Sequence, residues 1–359
     1  MKALLAHLQW RSFYHWQLLL LIFSFFVCIS PVIYCFYLQY DLHPEKIIRS
    51  KSGRSGVEFI LWKQNTERLQ GDSFGADAKN DYLFFFHSFL WAFAPWSIVA
   101  FVAFFSRIKS FGNRHWEWLT LGTFIIMGLM LTFSGFKLPH YLNIIFPATA
   151  VLTASYLLEK KENLILIKRL FVTQIIISIL LLIVAGIINV WAFPAQNLFV
   201  IAGFFLLIAA AVYALKKSVT KFQQLVSVSV IASALLFYLL NASFYPQLLT
   251  YQAGNELAFK TKEKVDPATV YLWPGVYSSS YNFYTSELRK EYHDSVLQHP
   301  GPIWIMVDGA KLPELGANGL PSLEMIEQRD YEITMLKMDF IDPSKRDEVT
   351  IKYFLVKVK

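Results

Sequence analysis

The 359 residues are 55% apolar and only 16% charged, with 32 Phe, 18 Tyr and 10 Trp. A soluble domain carries about 25% charged residues, and the apolar runs reach the roughly 20 residues that cross a bilayer, so the composition excludes an ordinary soluble protein. The net charge of +7 lies mostly in short loops between apolar runs, which fits anionic lipid headgroups and not nucleic acid.

Seven apolar segments follow in chain order, at about 18–38, 82–105, 119–133, 141–158, 170–190, 198–215 and 222–240. Pro95 interrupts the second, and the third is short. Cys28 and Cys35 both lie in the first, without metal-ligand company. The alternate loops carry the basic residues: Lys2 and Arg11; Arg107, Lys109 and Arg114; Lys160, Lys161, Lys168 and Arg169; Lys216, Lys217 and Lys221. By the positive-inside rule the N-terminus is cytoplasmic and the end of the chain lies outside. The predicted organisation is a transmembrane domain over 1–240, with about seven helices and an outer loop at 39–81. An extracytoplasmic α/β domain follows over 241–359. In that domain ATVYLW (268–273) and PIWIMVD (302–308) read as strands, and SYNFYTSELRKEY between them as a helix. YEITMLKMDF and VTIKYFLVKVK read as a closing strand pair across the turn-rich DPSKRD.

Chemistry concentrates in two outer segments. VEFILWKQNTERL in the first outer loop reads as an amphipathic surface helix that delivers Glu67 and Arg68. FSGFKLPHYLNIIFPA links the third and fourth segments. Its Lys137 stands between Phe136 and Leu138 in a link too short to leave the membrane surface, and such a cation seeks an anion or water. His140 and Tyr141 follow, and His87 sits near the outer end of the second segment. Snorkelling of Lys137 and pairing of Arg68 with Glu67 or Asp72 are the plain readings of the same residues. No zinc spacing, phosphate loop or nucleophile elbow occurs.

These stretches carry a resemblance. NTERLQGDSFG, then FLWAFAPWS, then Ser134, Lys137, Pro139, Tyr141 and Pro147 in FSGFKLPHYLNIIFPA resemble the dolichyl-phosphate-mannose protein mannosyltransferase family. Its bacterial members include the aminoarabinose transferase of lipid A. The resemblance covers 1–240 well and the outer domain loosely. It implies a polytopic α-helical membrane protein, part of a C-type glycosyltransferase fold, with a small C-terminal α/β extracytoplasmic domain, in the bacterial cytoplasmic (inner) membrane. It implies transfer of a sugar from a polyprenyl-phosphate donor to a lipid or protein acceptor on the outer face. Substrate-binding roles fall on Arg68, Lys137, Tyr141, Glu67 and His87. The catalytic residue stays unknown. The family keeps its catalytic carboxylate in the first outer loop, usually as an Asp-Glu pair, whereas here Asp41 and Glu45 are not adjacent. The chain thus reads as the later part of the pattern, either as a truncated gene product or with a partner chain that supplies the missing N-terminal half. No cofactor is called for, and a divalent metal ion stays open. The other readings are a lipid-linked oligosaccharide transferase, a transporter of a lipid-linked substrate, and an envelope scaffold without catalysis.

Overall fold

The computed structural model describes residues 16–48, 51–70, 81–109, 118–298, 300–334 and 336–359. The chain divides into two compact units, Met1–Gln174 and Ile175–Lys359.

In the first unit, α1 (Trp16–Phe36) continues through a π-helical turn, Tyr37–Asp41. Together they form 26 mostly apolar residues, about 39 Å of helix at 1.5 Å per residue, enough to cross a bilayer. The Asp41 carboxylate then accepts hydrogen bonds from the Ser55 hydroxyl at 2.6 Å and from the Gly56 and Val57 amides at 2.9 and 3.2 Å. Those amides open α2, which runs without interruption through Gly56–Glu58, Phe59–Lys63 and Gln64–Gln70. A carboxylate there satisfies otherwise orphan N–H groups and complements the positive end of the helix. Gly56 is required by this approach, because a Cβ at that position would lie 2.8 Å from the Phe36 carbonyl oxygen and 2.8 Å from Tyr40 Cβ.

The second apolar segment is two helices, α3 (Phe84–Ala92) and α4 (Ser97–Lys109), bent by 119°. Pro95 has no N–H to offer the preceding turn and breaks the helix there. Neither piece alone is as long as a bilayer core is thick. α5 (Trp118–Phe133) and α6 (Phe146–Lys160) complete the unit, joined by a short link and a 3₁₀ turn, Pro139–Ile144. The core here is aromatic: Phe85, Phe89, Leu131, Leu142 and Ile145 pack together with Phe93, Phe101 and Phe124. At the far end of α4 and α6, the buried Arg107 guanidinium pairs with Glu159 at 2.5 Å. That basic residue is therefore a helix-to-helix tie and not a free loop charge.

α7 (Leu164–Gly186, extended to Ala192), α8 (Leu198–Lys217) and α9 (Lys221–Leu239, extended to Leu249) are each long and apolar enough to span. With α1 they make four such helices among the described residues. The bent α3–α4 pair makes five if it is one span. The chain is a multi-pass membrane protein. A capping box opens α9, with the Thr220 hydroxyl and the Gln223 side chain each bonding the other's backbone N–H.

The C-terminal part is a four-stranded sheet with helices on it. Strands β1 (Val270–Leu272), β2 (Trp304–Asp308), β3 (Glu324–Asp330) and β4 (Ile351–Lys357) lie in the order β1-β2-β4-β3. β1 and β2 are parallel, and the other pairs antiparallel. One face packs Trp304, Met306 and Leu355 under Leu257 and Ala258 of α10 (Ala253–Thr261). The other face packs Ile305, Val307, Phe354 and Val356 with Trp273, Tyr292 and Leu315. β2 is buried on both faces, hence its unbroken apolar run.

Two expectations shift here, and part of a third lies outside the described residues. The partner of the last strand is EMIEQRD, not YEITMLKMDF, of which Met338–Ile341 is a short helix. The helix expected in SYNFYTSELRKEY shrinks to α11 (Ser279–Tyr284). The basic loop residues Lys2, Arg11 and Arg114 lie outside the described residues.

Candidate functional site

The site builds from backbone to side chain. α2 ends with carbonyl groups that have no partner further along the helix. The link after α5 supplies the partners: the Phe136 N–H donates to the Arg68 carbonyl at 3.0 Å and the Gly135 N–H to the Leu69 carbonyl at 2.9 Å. The Ser134 hydroxyl lies 3.3 Å from the Arg68 carbonyl and 3.0 Å from that of Phe136. Residues 66 positions apart are thus clipped together, and the Arg68 and Lys137 backbones come side by side.

Lys137 is only 5% exposed. Its ammonium donates to the Ser134 carbonyl and sits 6.0 Å from the centre of the Tyr82 ring. No carboxylate of the described residues lies within ion-pair distance of it. Burial in the link lowers its affinity for the proton, and the nearby Asp81 charge opposes that effect. A lysine held this way has two N–H donors left for an incoming anion. Arg68 is half-buried, and among the described residues its guanidinium has no hydrogen-bond or ion-pair partner.

The remaining predicted residues take different positions. Glu67 turns to Arg54, 3.5 Å away. Asp72, the other acid considered from sequence as a partner of Arg68, lies outside the described residues. His87, half-exposed, lies 3.4 Å from Asp81 and edge-on to Phe84. Through Asp81 it belongs to the surroundings of Lys137. Tyr141 packs against His140 and Phe136, and its buried hydroxyl has no hydrogen-bond partner among the described residues. A buried polar group without a partner is uncommon and marks a place where a bound molecule can supply the bond.

Sequence reasoning passed over Asp81 and named Ser134 only within the resemblance, with no role. Asp81 shows itself only as the acid immediately before α3. Ser134 acts through backbone carbonyls, which leave no trace in residue type. It also passed over an apolar cleft of about 270 Å³ lined by Phe85, Phe89, Phe101, Phe124, Leu142 and Ile145. Leu142 and Ile145 stand just past Tyr141, so the cleft opens next to the link along the chain. No group of three or more His, Cys, Asp or Glu side chains that would hold a metal is found among the described residues.

No family model and no curated protein matches the chain. Among solved structures its fold is similar to that of ArnT from Cupriavidus metallidurans, crystallised bound to undecaprenyl phosphate, with a TM-score of 0.53 and 14% identity. The match covers 98% of this chain and 64% of that one, so the chain spans a little under two thirds of its neighbour's length. A likeness at this identity speaks for the fold: a helical membrane protein with the C-type glycosyltransferase fold and a small C-terminal sheet region.

Proposed function

We propose that the chain takes part in transferring a sugar from a polyprenyl-phosphate donor to a lipid or protein acceptor at the outer face of the bacterial inner membrane, and that it holds the carrier phosphate. The observation that carries this reading is the pairing of the Arg68 carbonyl with the Phe136 amide. It brings the backbones of two cationic residues side by side, neither residue in an ion pair among the described residues. The guanidinium fork suits two phosphate oxygens, and the lysine adds a point charge. The apolar cleft beside Leu142 and Ile145 suits an isoprenoid segment. The crystal structure of the fold neighbour with undecaprenyl phosphate adds support.

In such a transfer the acceptor oxygen bonds to the anomeric carbon, and the bond from that carbon to the carrier phosphate oxygen breaks. The leaving phosphate gains charge, and Arg68 and Lys137 stabilise it as it forms. Tyr141 donates its hydroxyl to the same oxygens or to the sugar. The acceptor proton goes to a carboxylate, a role for which Asp41 is unsuited because three hydrogen bonds hold it at the start of α2.

The accompanying topology has seven spans, the N-terminus inside, and 241–359 outside as a separate α/β domain. The deciding test is the affinity of the purified chain in nanodiscs for undecaprenyl phosphate. Arg68→Ala and Lys137→Ala are each expected to weaken binding about tenfold, the loss of one charge-assisted contact. Lys137→Arg should keep part of it. Equal affinity of wild type and both alanine variants would sink the phosphate site.

A further inference from the structure

Under the sheet edge of the C-terminal part lies a second cavity, about 350 Å³, lined by Gly254 of α10, Tyr277 and Ser278–Ser280 at the start of α11, Asp330 of β3 and Tyr353 of β4. Small-ligand pockets begin at about 300 Å³. We propose that this cavity binds a saccharide unit that is neutral or positively charged.

The lining carries its argument atom by atom. Asp330 spends one carboxylate oxygen on the Ala253 N–H, at 2.8 Å. Its other oxygen has no hydrogen bond among the described residues, and neither has the Tyr353 hydroxyl. The Ser278 and Ser280 hydroxyls stand 3.4 Å apart. They press so near the α10 backbone that a Cβ on Gly254 would meet them at 2.3 and 2.2 Å. Only glycine leaves room for hydroxyls here. Ser278 also accepts from the Tyr281 N–H at 3.3 Å, so the lining combines O–H groups that both donate and accept with one carboxylate oxygen that only accepts. Adjacent hydroxyls of a sugar match that alternation. Tyr277, 70% exposed, offers its ring at the rim to the apolar face of a pyranose.

The alternatives fit less well. A phosphate or other anion would face the Asp330 charge with no Lys, Arg or His in the lining. A metal ion would find one carboxylate and no cluster of ligands. An apolar ligand would strand several hydroxyls without partners. Burial also raises the Asp330 pKa, and the charges of Asp330 and Asp308 add to burial in holding the Tyr353 hydroxyl protonated as a donor. The site stands whatever the link around Lys137 binds.

Saturation-transfer NMR on the full chain in detergent tests it, with the methyl glycosides of glucose, galactose, mannose and N-acetylglucosamine as probes, and glucose 6-phosphate as the anionic control. Transfer to at least one neutral glycoside is expected, and a weaker effect for the phosphate. Ser279→Trp, placed on an exposed position at the mouth, should abolish the transfer. Asp330→Asn should weaken it about tenfold, or about 1.4 kcal/mol. No transfer to any glycoside from the wild type, or equal transfer with both variants, would overturn the proposal.

Discussion

The amide of Phe136 and the carbonyl of Arg68 meet at 3.0 Å, so the helix that carries one cation and the link that carries the other share a backbone hydrogen bond. The Ser134 hydroxyl reinforces that bond from the side. Ser134 touches no substrate in this arrangement and acts as a positioning residue. Ser134→Ala removes one hydrogen bond, worth about 1 kcal/mol. The expected outcome is about a fivefold loss of undecaprenyl phosphate affinity, with Lys137 and Arg68 intact and insertion unchanged. Threonine at the same position should restore most of it. An affinity equal to wild type in the alanine variant would show that the clip does not depend on the hydroxyl.

Lys137 was legible because a cation between two apolar segments contradicts its surroundings, and contradiction is visible in one dimension. Arg68 stood out for its place in the resemblance, but the position of Glu67 beside Arg54 did not. The strand EMIEQRD was illegible for a different reason. It is an edge strand with none of its side chains fully buried, and it holds its place by backbone pairing, from Glu324 opposite Lys357 to Asp330 opposite Ile351. Such a strand needs no alternation of apolar residues. YEITMLKMDF has the apolar content, but Phe340 is used in a different cluster, stacked on Tyr331 and against Phe193. The pocket around Asp330 joins five segments spread over about 100 residues, and no local pattern announces it.

The topology rests on the basic loops, and the structure offers a rival cause for some of them. Lys216 and Lys217 form the last turn of α8, and Lys160 that of α6, where a cation also complements the helix dipole. Arg107 is used up in its pair with Glu159. Reporter fusions separate the two causes. A fusion after Lys217 should report the cytoplasm and one after Lys260 the exterior. The same compartment for both would remove the seven-span arrangement.

Asp330 gives the C-terminal part a pH dependence whose sign can be worked out. Burial raises its folded pKa above the value of the unfolded chain, against the smaller opposing effect of the Ala253 N–H. The groups facing it are Tyr353 and, beyond, Asp308, and neither offers a positive charge. Folding therefore favours the protonated acid. The stabilisation is full below the unfolded pKa of about 3.9 and is lost as pH rises through the folded value. Asp330→Asn keeps an oxygen for the Ala253 amide and cannot ionise. The variant should unfold at a higher temperature than wild type at pH 7, and the gap should close as pH falls toward 4. Parallel midpoints across that range would remove Asp330 as the cause.

Arg346 is the most heavily engaged cation in the second unit, 8% exposed. Its guanidinium donates to the Phe340, Ala192 and Ile341 carbonyls at 2.8, 2.7 and 3.0 Å, and lies 4.0 Å over the Phe193 ring. Ala192 and Phe193 close α7, so this one side chain fastens the segment before β4 to the end of a membrane-spanning helix. Phe244 and Leu248 of α9 fill in around it. Arg346→Leu keeps bulk but leaves the three carbonyls without their donor and loses the cation over the ring. The expected cost is about 3 kcal/mol, from the penalty of leaving buried acceptors unpaired. Arg346→Lys should cost roughly half as much, because an ammonium reaches fewer of the three carbonyls than a planar fork does. Thermal unfolding of the detergent-solubilised chain measures both. Limited proteolysis adds a local readout, with cleavage between 336 and 350 expected to rise in the order wild type, lysine, leucine. A leucine variant that unfolds with the wild type and resists the protease equally would mean that the apolar packing of Phe193, Phe244 and Phe340 holds this junction without the arginine.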